Sequence, residues 1–110
     1  MKERLALRIL IEGRVQGVGY RYWVVEHAAR LGLDGWVRNR CDGRVEAVIS
    51  GPREALDEML RRCHEGPSFA RVDNLTQQPE TDGVEAGFRA LPTACSRASS
   101  DNTESFDGGI

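Results

Sequence analysis

The stretch LALRILIEGRVQGVGYRYW, residues 5–23, contains an apolar segment, a glycine-rich segment and the start of a second apolar period. Within it, every second residue is apolar on one face, which predicts a strand with one buried face: Leu5, Leu7, Ile9 and Ile11. From Tyr20 the spacing changes to that of a helix, with apolar residues at Tyr20, Val24, Ala28 and Leu31. The glycine-rich loop therefore joins a strand directly to a helix.

The composition of this loop suits the binding of an anion. Glycines 13, 17 and 19 can turn consecutive main-chain N–H groups into one concavity, and the helix start adds unpaired N–H groups and a positive dipole end. The dipole disfavours a cation in the first turn, where Arg21 lies. A phosphate or carboxylate between loop and guanidinium would explain Arg21, because arginine grips such groups with two parallel hydrogen bonds. The spacing alone leaves a solvated arginine as the alternative.

The loop matches neither of two well-known phosphate-binding motifs. No Lys-Ser/Thr pair follows the glycines, which excludes a Walker A motif, and the glycine spacing differs from G-x-G-x-x-G of dinucleotide-binding folds. Any anion site here is of another kind.

The rest of the chain alternates between strand and helix patterns. A short strand around residues 36–39 and a strand from Val45 flank an Asp-Gly pair, which predicts an antiparallel hairpin. A second helix is expected to have Pro52 at its first position and to end at Gly66-Pro67. Its buried stripe is predicted to contain Leu56, Met59, Leu60 and Cys63. Weaker strands are expected near residues 70–78 and 87–91.

This order of elements predicts an α+β fold. The sequence βαββαβ is that of a ferredoxin-like two-layer sandwich, with an antiparallel sheet and both helices on one face. With 110 residues, one domain is expected, over residues 1–92. Residues 93–110 are rich in Ser, Asp, Asn and Gly and are expected to form a disordered polar tail, because they offer little apolar surface to bury.

Charge and hydropathy restrict the partners. The net charge is −2, and residues 1–92 carry equal numbers of basic and acidic side chains, which argues against binding to nucleic acid or to a membrane surface. No apolar run approaches the length of a membrane span, and charged residues interrupt the N-terminal apolar run, so no signal peptide is expected. An RNA-recognition domain would share the topology, but the K/R-G-F/Y-G/A-F-V motif is missing.

The cysteines and histidines suggest no chemistry. The chain has an odd number of cysteines, and they are distant from one another in sequence: Cys41, Cys63 and Cys95. Disulfides are therefore not expected, and a reducing cytoplasm is the expected location. No spacing with His27 or His64 is that of a zinc site. We expect Cys63 in the core and both histidines in surface or packing positions.

Asn39 is the second polar residue of interest, because it ends a short strand just before the hairpin turn. It is either an ordinary turn residue or a side chain that returns toward the first helix and holds a water. The pattern does not decide whether Asn39 and the glycine-rich loop lie at the same end of the sheet.

Four stretches of the sequence resemble the acylphosphatase family. GRVQGVGYR, residues 13–21, and GWVRNRCDGRVEAVISG, residues 35–51, are similar to its two signatures in order and spacing. ARLGLDGWVRN and GPSFARVDNL also match the family pattern. The resemblance covers about residues 5–91, with Tyr20 at a position where phenylalanine is common.

The resemblance implies a small ferredoxin-like enzyme that hydrolyses the carboxyl–phosphate bond of acyl phosphates without metal or cofactor. It implies that Arg21 and Asn39 are the catalytic residues, with Arg21 on the phosphate and Asn39 on the attacking water. It further implies that the phosphate is bound by main-chain amides of the loop and by the arginine: Val15, Gln16, Gly17, Val18, Gly19, Tyr20 and Arg21. The expected partners are an acyl phosphate and inorganic phosphate, and a small neutral domain is expected to be a monomer.

Overall fold

The computed structural model describes residues 4–95, which form seven elements. In chain order these are β1 (Arg4–Arg14), α1 (Tyr20–Arg30), β2 (Asp34–Asn39), β3 (Val45–Pro52), α2 (Arg53–Glu65), β4 (Arg71–Pro79) and β5 (Phe88–Ala90). The predicted order of strands and helices is confirmed. One boundary was wrong: Pro52 is the extended last residue of β3, and α2 begins one residue later.

The five strands form one sheet in the order β4-β1-β3-β2-β5. The pairs β1–β3, β1–β4 and β2–β3 are antiparallel, as the hairpin prediction requires. The expectation of a purely antiparallel sheet is wrong at one edge, because β5 pairs in parallel with β2. The reason lies in residues 80–87, which connect β4 to β5. Because β4 ends at the end of the sheet where β2 begins, the connection crosses that end, and β5 then runs in the same direction as β2.

Both helices cover the same face of the sheet and enclose the core. From α1 the buried side chains are Tyr20, Val24 and Ala28, and from α2 they are Leu56, Met59 and Cys63. They pack against inward-facing strand residues that are fully buried: Ile9, Ile11, Val37, Val45, Ala47 and Ile49. The predicted stripes are confirmed except that Leu31 and Leu60 are only partly buried. The fold is therefore the predicted two-layer α+β sandwich.

The opposite face of the sheet, which we call the outer face, has an ionic network. Glu46 on β3 is 5% exposed, and its carboxylate is bonded to Arg8 and lies 3.0 Å from Nε of Arg38. Arg8 also donates to Glu80, at 2.8 Å. The guanidinium groups of Arg8 and Arg38 lie 5.5 and 4.6 Å from the ring centre of Trp36. Each buried charge on this face therefore has an opposite charge beside it.

A β-bulge at Gly13 turns β1 into the glycine-rich loop. The register of β1 against β4 shifts between Glu12 and Gly13, and Gly13 has a φ of 134°. A Cβ at this position would lie 2.1 Å from the carbonyl oxygen of Arg71. Only glycine fits this close approach, so the direction in which the loop leaves the sheet is fixed by the sequence.

The segment after β5 corrects two expectations. Ala94 forms a parallel bridge with Arg40, and Cys95 is disulfide-bonded to Cys41. Residues 93–95 therefore belong to the folded domain, whereas the remainder of the predicted tail, residues 96–110, lies outside the described residues. A separation of 54 residues concealed the cysteine pair, because sequence distance says little about distance across a sheet. Cys63 is free and buried, as predicted.

Among the helices of residues 4–95, neither is long and apolar enough to cross a membrane.

Candidate active site

The loop between β1 and α1 presents unpaired main-chain donors. Within residues 4–95, no main-chain N–H of residues 15–19 donates a hydrogen bond to a protein acceptor. Gly17 and Gly19 have φ values of 72° and 82°, in the left-handed region, and a Cβ on either would meet no atom within 4 Å. These glycines are thus required by backbone conformation rather than by crowding, and the space beside them is open. Such a loop can accept an anion through its N–H groups.

The start of α1 adds positive potential to the same place. Its first turn contains no acidic residue, and no side chain caps its N-terminal N–H groups. Arg21 lies in this turn and is half-buried. Its guanidinium has no hydrogen bond or ion pair with any other described residue. The helix end and the arginine therefore form a local concentration of positive charge without a protein counter-charge.

The loop is anchored at both ends by buried side chains. Val15 and Tyr20 are each 1% exposed, and the Tyr20 hydroxyl donates to the carbonyl oxygen of Cys63 at 2.6 Å. Burial raises the pKa of Tyr20 far above its usual range, so the phenol remains a donor. A Cβ on Gly66 would come within 3.0 Å of the Tyr20 ring. Tyr20 is therefore a buried anchor of the loop, and its hydroxyl adds a hydrogen bond that a phenylalanine could not make.

The side chain of Gln16 connects the loop to the hairpin turn between β2 and β3. Its Nε2 atom donates to the carbonyl oxygens of Arg40 and Arg44, at 2.8 and 2.9 Å. The sequence predicted Gln16 only as a main-chain donor. No sequence signal indicates this contact, because it joins residues 24 and 28 positions apart.

The sheet order places Asn39 at the loop end of the domain. Strands β1 and β2 are both antiparallel to β3, so both end at the same end of the sheet. Asn39 is the last residue of β2, next to Arg40, whose carbonyl oxygen binds Gln16. This answers the question that the sequence left open.

The Asn39 side chain has an unused hydrogen-bonding atom. Its Oδ1 atom is buried and has no partner among the described residues, whereas its main-chain oxygen accepts from the N–H of Ala94 at 2.9 Å. Buried polar atoms without a partner are uncommon in folded proteins, and this one lies at the same end of the sheet as the unpaired loop donors, where it has the chemistry to hold a small polar ligand.

The turn beyond Asn39 is held together by charge. Asp42 accepts hydrogen bonds from the side chains of Arg44 and Arg40, at 2.8 and 3.0 Å, and from the main chain of Arg44. The hydrogen bond from the Arg44 side chain is the main reason that the pKa of Asp42 lies well below its usual range. The turn that contacts Gln16 is therefore internally cross-linked.

The histidines lie away from this constellation. His27 contacts the Trp23 ring at 4.0 Å between ring centres and lies 2.9 Å from a guanidinium nitrogen of Arg62. His64 is exposed on α2. Both are surface or packing residues, as predicted. Residues 4–95 contain no group of three His, Cys, Asp or Glu side chains that could hold a metal ion.

The fold and the loop define a ferredoxin-like domain with an unpaired set of N–H donors between its first strand and first helix. The family profile described as Acylphosphatase matches residues 7–90. An acylphosphatase of Rhizorhabdus wittichii is 50% identical over 91 residues, which cover 83% of this chain and 92% of that protein. The chain therefore belongs to the acylphosphatase family and to the hydrolases that act on acyl phosphates.

Solved structures agree with this assignment. The crystal structure of acylphosphatase from Bacillus subtilis has a TM-score of 0.75 and 38% identity, covering 79% of this chain and 98% of that one. An acylphosphatase from Coxiella burnetii has a TM-score of 0.77 and 32% identity, covering 80% and 93% of the two chains. The predicted family and fold class are thus confirmed.

Proposed function

We propose that this protein hydrolyses acyl phosphates to a carboxylate and inorganic phosphate, with Arg21 and the main-chain amides of residues 15–20 on the phosphate and Asn39 on the attacking water. The observation that carries the proposal is the coincidence of two unsatisfied features at one end of the sheet. One is the set of unpaired N–H groups around Arg21. The other is the buried, unpartnered Oδ1 of Asn39.

The reaction asks for positioning and charge stabilisation rather than covalent catalysis. The leaving group is a carboxylate, which departs readily, and in the transition state negative charge is spread over the three equatorial oxygens of the transferred phosphoryl group. Donors that are already oriented, such as the loop amides and the guanidinium, stabilise this charge without reorganising during the reaction. The anchoring of the loop by Val15, Tyr20 and the Gln16 side chain supports such an arrangement.

In the proposed step, the oxygen of a water attacks phosphorus on the side opposite the acyl oxygen. The new P–O bond forms as the bond to the acyl oxygen breaks, and the electron pair of that bond leaves with the carboxylate. Oδ1 of Asn39 accepts a hydrogen bond from the water and orients its lone pair toward phosphorus. We propose that a phosphate oxygen of the substrate accepts the water proton.

The activity can be tested with benzoyl phosphate, whose hydrolysis is followed directly by ultraviolet absorbance. We expect turnover by the purified protein, unchanged by a chelator because no metal takes part in the proposed step. Arg53→Ala is the matched control for Arg21→Ala, because Arg53 opens α2 at the opposite end of the sheet. Tight phosphate binding without turnover would instead identify a binding module.

The expected partners and location follow from the same proposal. We propose a monomer that acts on small acyl phosphates and binds no nucleic acid, since the arginines of the outer face are engaged by Glu46 and Glu80. We propose the cytoplasm as its location. Thiols in the cytoplasm are typically reduced. The thiol state of Cys41 and Cys95, which form a disulfide in the structure, therefore tests that location when it is measured in intact cells.

A further inference from the structure

Residues 91–95 follow β5 and continue alongside β2, and the last of them, Cys95, is linked to the chain after β2 by a disulfide. The N–H of Leu91 donates to Val37 at 2.9 Å, and the N–H of Cys41 donates to Ala94 at 3.1 Å. Cys95 is bonded to Cys41, with 4.9 Å between their Cα atoms. We call residues 91–95 together with this disulfide the clasp.

The clasp encloses Asn39 from the side opposite β3. On one side Asn39 pairs with Val45 in the antiparallel ladder. On the other side its main-chain oxygen accepts from Ala94 at 2.9 Å, and the disulfide lies two residues further along the chain. The residue whose Oδ1 is unpartnered is thus held between a central strand and the clasp.

Within residues 4–95, three main-chain hydrogen bonds hold the clasp in addition to the disulfide, and they join Leu91 to Val37, Ala94 to Asn39 and Cys41 to Ala94. Strand β5 has three residues, and the segment after it includes Pro92, which has no N–H to donate. Short segments held by a few exposed hydrogen bonds open easily, and a covalent bond suppresses that opening.

We propose that the clasp is a positioning element for Asn39, so that the Cys41–Cys95 bond raises turnover without strengthening phosphate binding. The inference rests on the proposed function, because it assumes that Asn39 orients the water. Within residues 4–95 the loop donors and Arg21 have no hydrogen bond to residues 91–95. Opening the clasp therefore frees Asn39, while the loop keeps the anchors that do not involve the clasp, namely the burial of Val15 and Tyr20 and the hydrogen bond from Gln16 to Arg44.

Both cysteines of the clasp are exposed, whereas Cys63 is fully buried. A dithiol can therefore reach the disulfide. It supplies two electrons and two protons: the Cys41–Cys95 bond breaks to two thiols, and the dithiol is oxidised to its own disulfide. Burial raises the pKa of Cys63 to about 12, so this thiol takes no part in the exchange.

The test compares the oxidised protein, the same protein reduced with dithiothreitol, and the Cys41→Ser/Cys95→Ser variant. Cys63→Ala, which retains the clasp, is the matched control. We expect kcat for benzoyl phosphate to fall about tenfold on opening the clasp, because small misplacements of a reacting group are costly. The inhibition constant of inorganic phosphate should change less than twofold, and an amide NMR spectrum should show a folded domain in each state.

Several results would overturn the proposal. Mass spectrometry could show free thiols at both positions after aerobic purification, or kcat could be equal in the two states. A loss of phosphate binding as large as the loss of kcat, or unfolding on reduction, would mean that the bond supports the whole domain rather than Asn39.

Failure of the proposed function is a separate result, namely no turnover in either state. The clasp is still tested in that case by the side-chain amide resonance of Asn39. We expect this resonance to move or broaden on reduction, and an unchanged resonance would contradict the proposal.

Discussion

Two regions of the domain contain half-buried arginines, and the two regions differ in whether these arginines have acidic partners. On the outer face, Arg8 and Arg38 are bonded to Glu46, and Arg8 also contacts Glu80. At the glycine-rich loop, Arg21 stands beside unpaired N–H groups with no acid in the first turn of its helix. The guanidinium groups of Arg8 and Arg38 have acidic partners, whereas within residues 4–95 the guanidinium of Arg21 has none.

We propose that this difference separates structural arginines from functional ones. A buried carboxylate such as Glu46 is tolerated because cations surround it, and removing one partner would leave a charge without compensation. A cluster of donors without a counter-charge does not stabilise the folded protein in this way. It becomes favourable when an anion binds, which is why the two regions should respond to substitution in different measurements.

The largest expected effect is the loss of activity in Arg21→Ala. Removal of the guanidinium should lower kcat/KM by at least about 10³-fold, or roughly 4 kcal/mol. The reason is that a positive charge already oriented toward the transferred phosphoryl group is expected to be the main source of catalysis. Steady-state hydrolysis of benzoyl phosphate measures it, with Arg53→Ala as the control that should retain full activity. Equal losses in the two variants would remove the distinction between Arg21 and an ordinary surface arginine.

Asn39→Ala should come next, with a different kinetic signature. We expect kcat to fall about 10²–10³-fold, while inorganic phosphate still inhibits with an unchanged constant, since the loop donors and Arg21 remain. Product inhibition and kcat measured on one preparation test both halves of this prediction. Full activity in the variant would exclude Asn39 from the reaction.

Glu46→Gln should lower stability and leave activity unchanged, whereas Arg21→Ala and Asn39→Ala should lower activity. With the carboxylate gone, Arg8 and Arg38 lose their shared acceptor, and we expect the free energy of unfolding to fall by about 2–3 kcal/mol. Because the carboxylate of Glu46 makes no hydrogen bond with the described loop residues 15–21 or with Asn39, kcat/KM at 25 °C should stay within twofold. Urea denaturation and the benzoyl phosphate assay on the same sample give both values, and a variant that loses activity but not stability would contradict the comparison.

The smallest expected effect is a change in acid stability in Asp42→Asn. The hydrogen bond from the Arg44 side chain keeps the pKa of Asp42 low in the folded protein. This stabilisation is therefore complete above the pKa of about 4 in the unfolded chain and is lost as the pH falls below it. Urea denaturation at pH 6 and pH 3 should show a smaller acid-induced loss of stability in Asp42→Asn than in the wild type.

Equal acid-induced losses in the two proteins would mean that Asp42 titrates in the folded state as it does in the unfolded chain. Because Asp42 is partly exposed, the difference should also shrink in high salt. The same titration in 0.5 M NaCl is therefore an internal control.

The elements that the sequence predicted well are those set by local patterns. The alternation of Leu5, Leu7, Ile9 and Ile11 and the helical stripes gave the order of strands and helices, and the Asp-Gly pair gave the β2–β3 hairpin. Glycines at 17 and 19 indicated a loop with a left-handed backbone, and both residues have positive φ values.

The features that the sequence did not reveal all depend on distant parts of the chain. The position of Asn39 relative to the loop required the insertion of β3 between β1 and β2. The contact of Gln16 with Arg40 and the pairing of Cys41 with Cys95 arise only after the sheet has formed. Neither follows from periodicity or spacing, because each joins residues whose separation in sequence has no typical value.

A titration with inorganic phosphate followed by the backbone amide NMR spectrum tests the central claim most directly. The account predicts that the amides of residues 15–21 shift together and saturate, with a response at Asn39 and none at Trp36 or Arg38 on the outer face. It also predicts that these shifts vanish in Arg21→Ala and persist in Arg53→Ala. Shifts centred on Trp36 and Arg38, or no saturable shift in the loop, would contradict it.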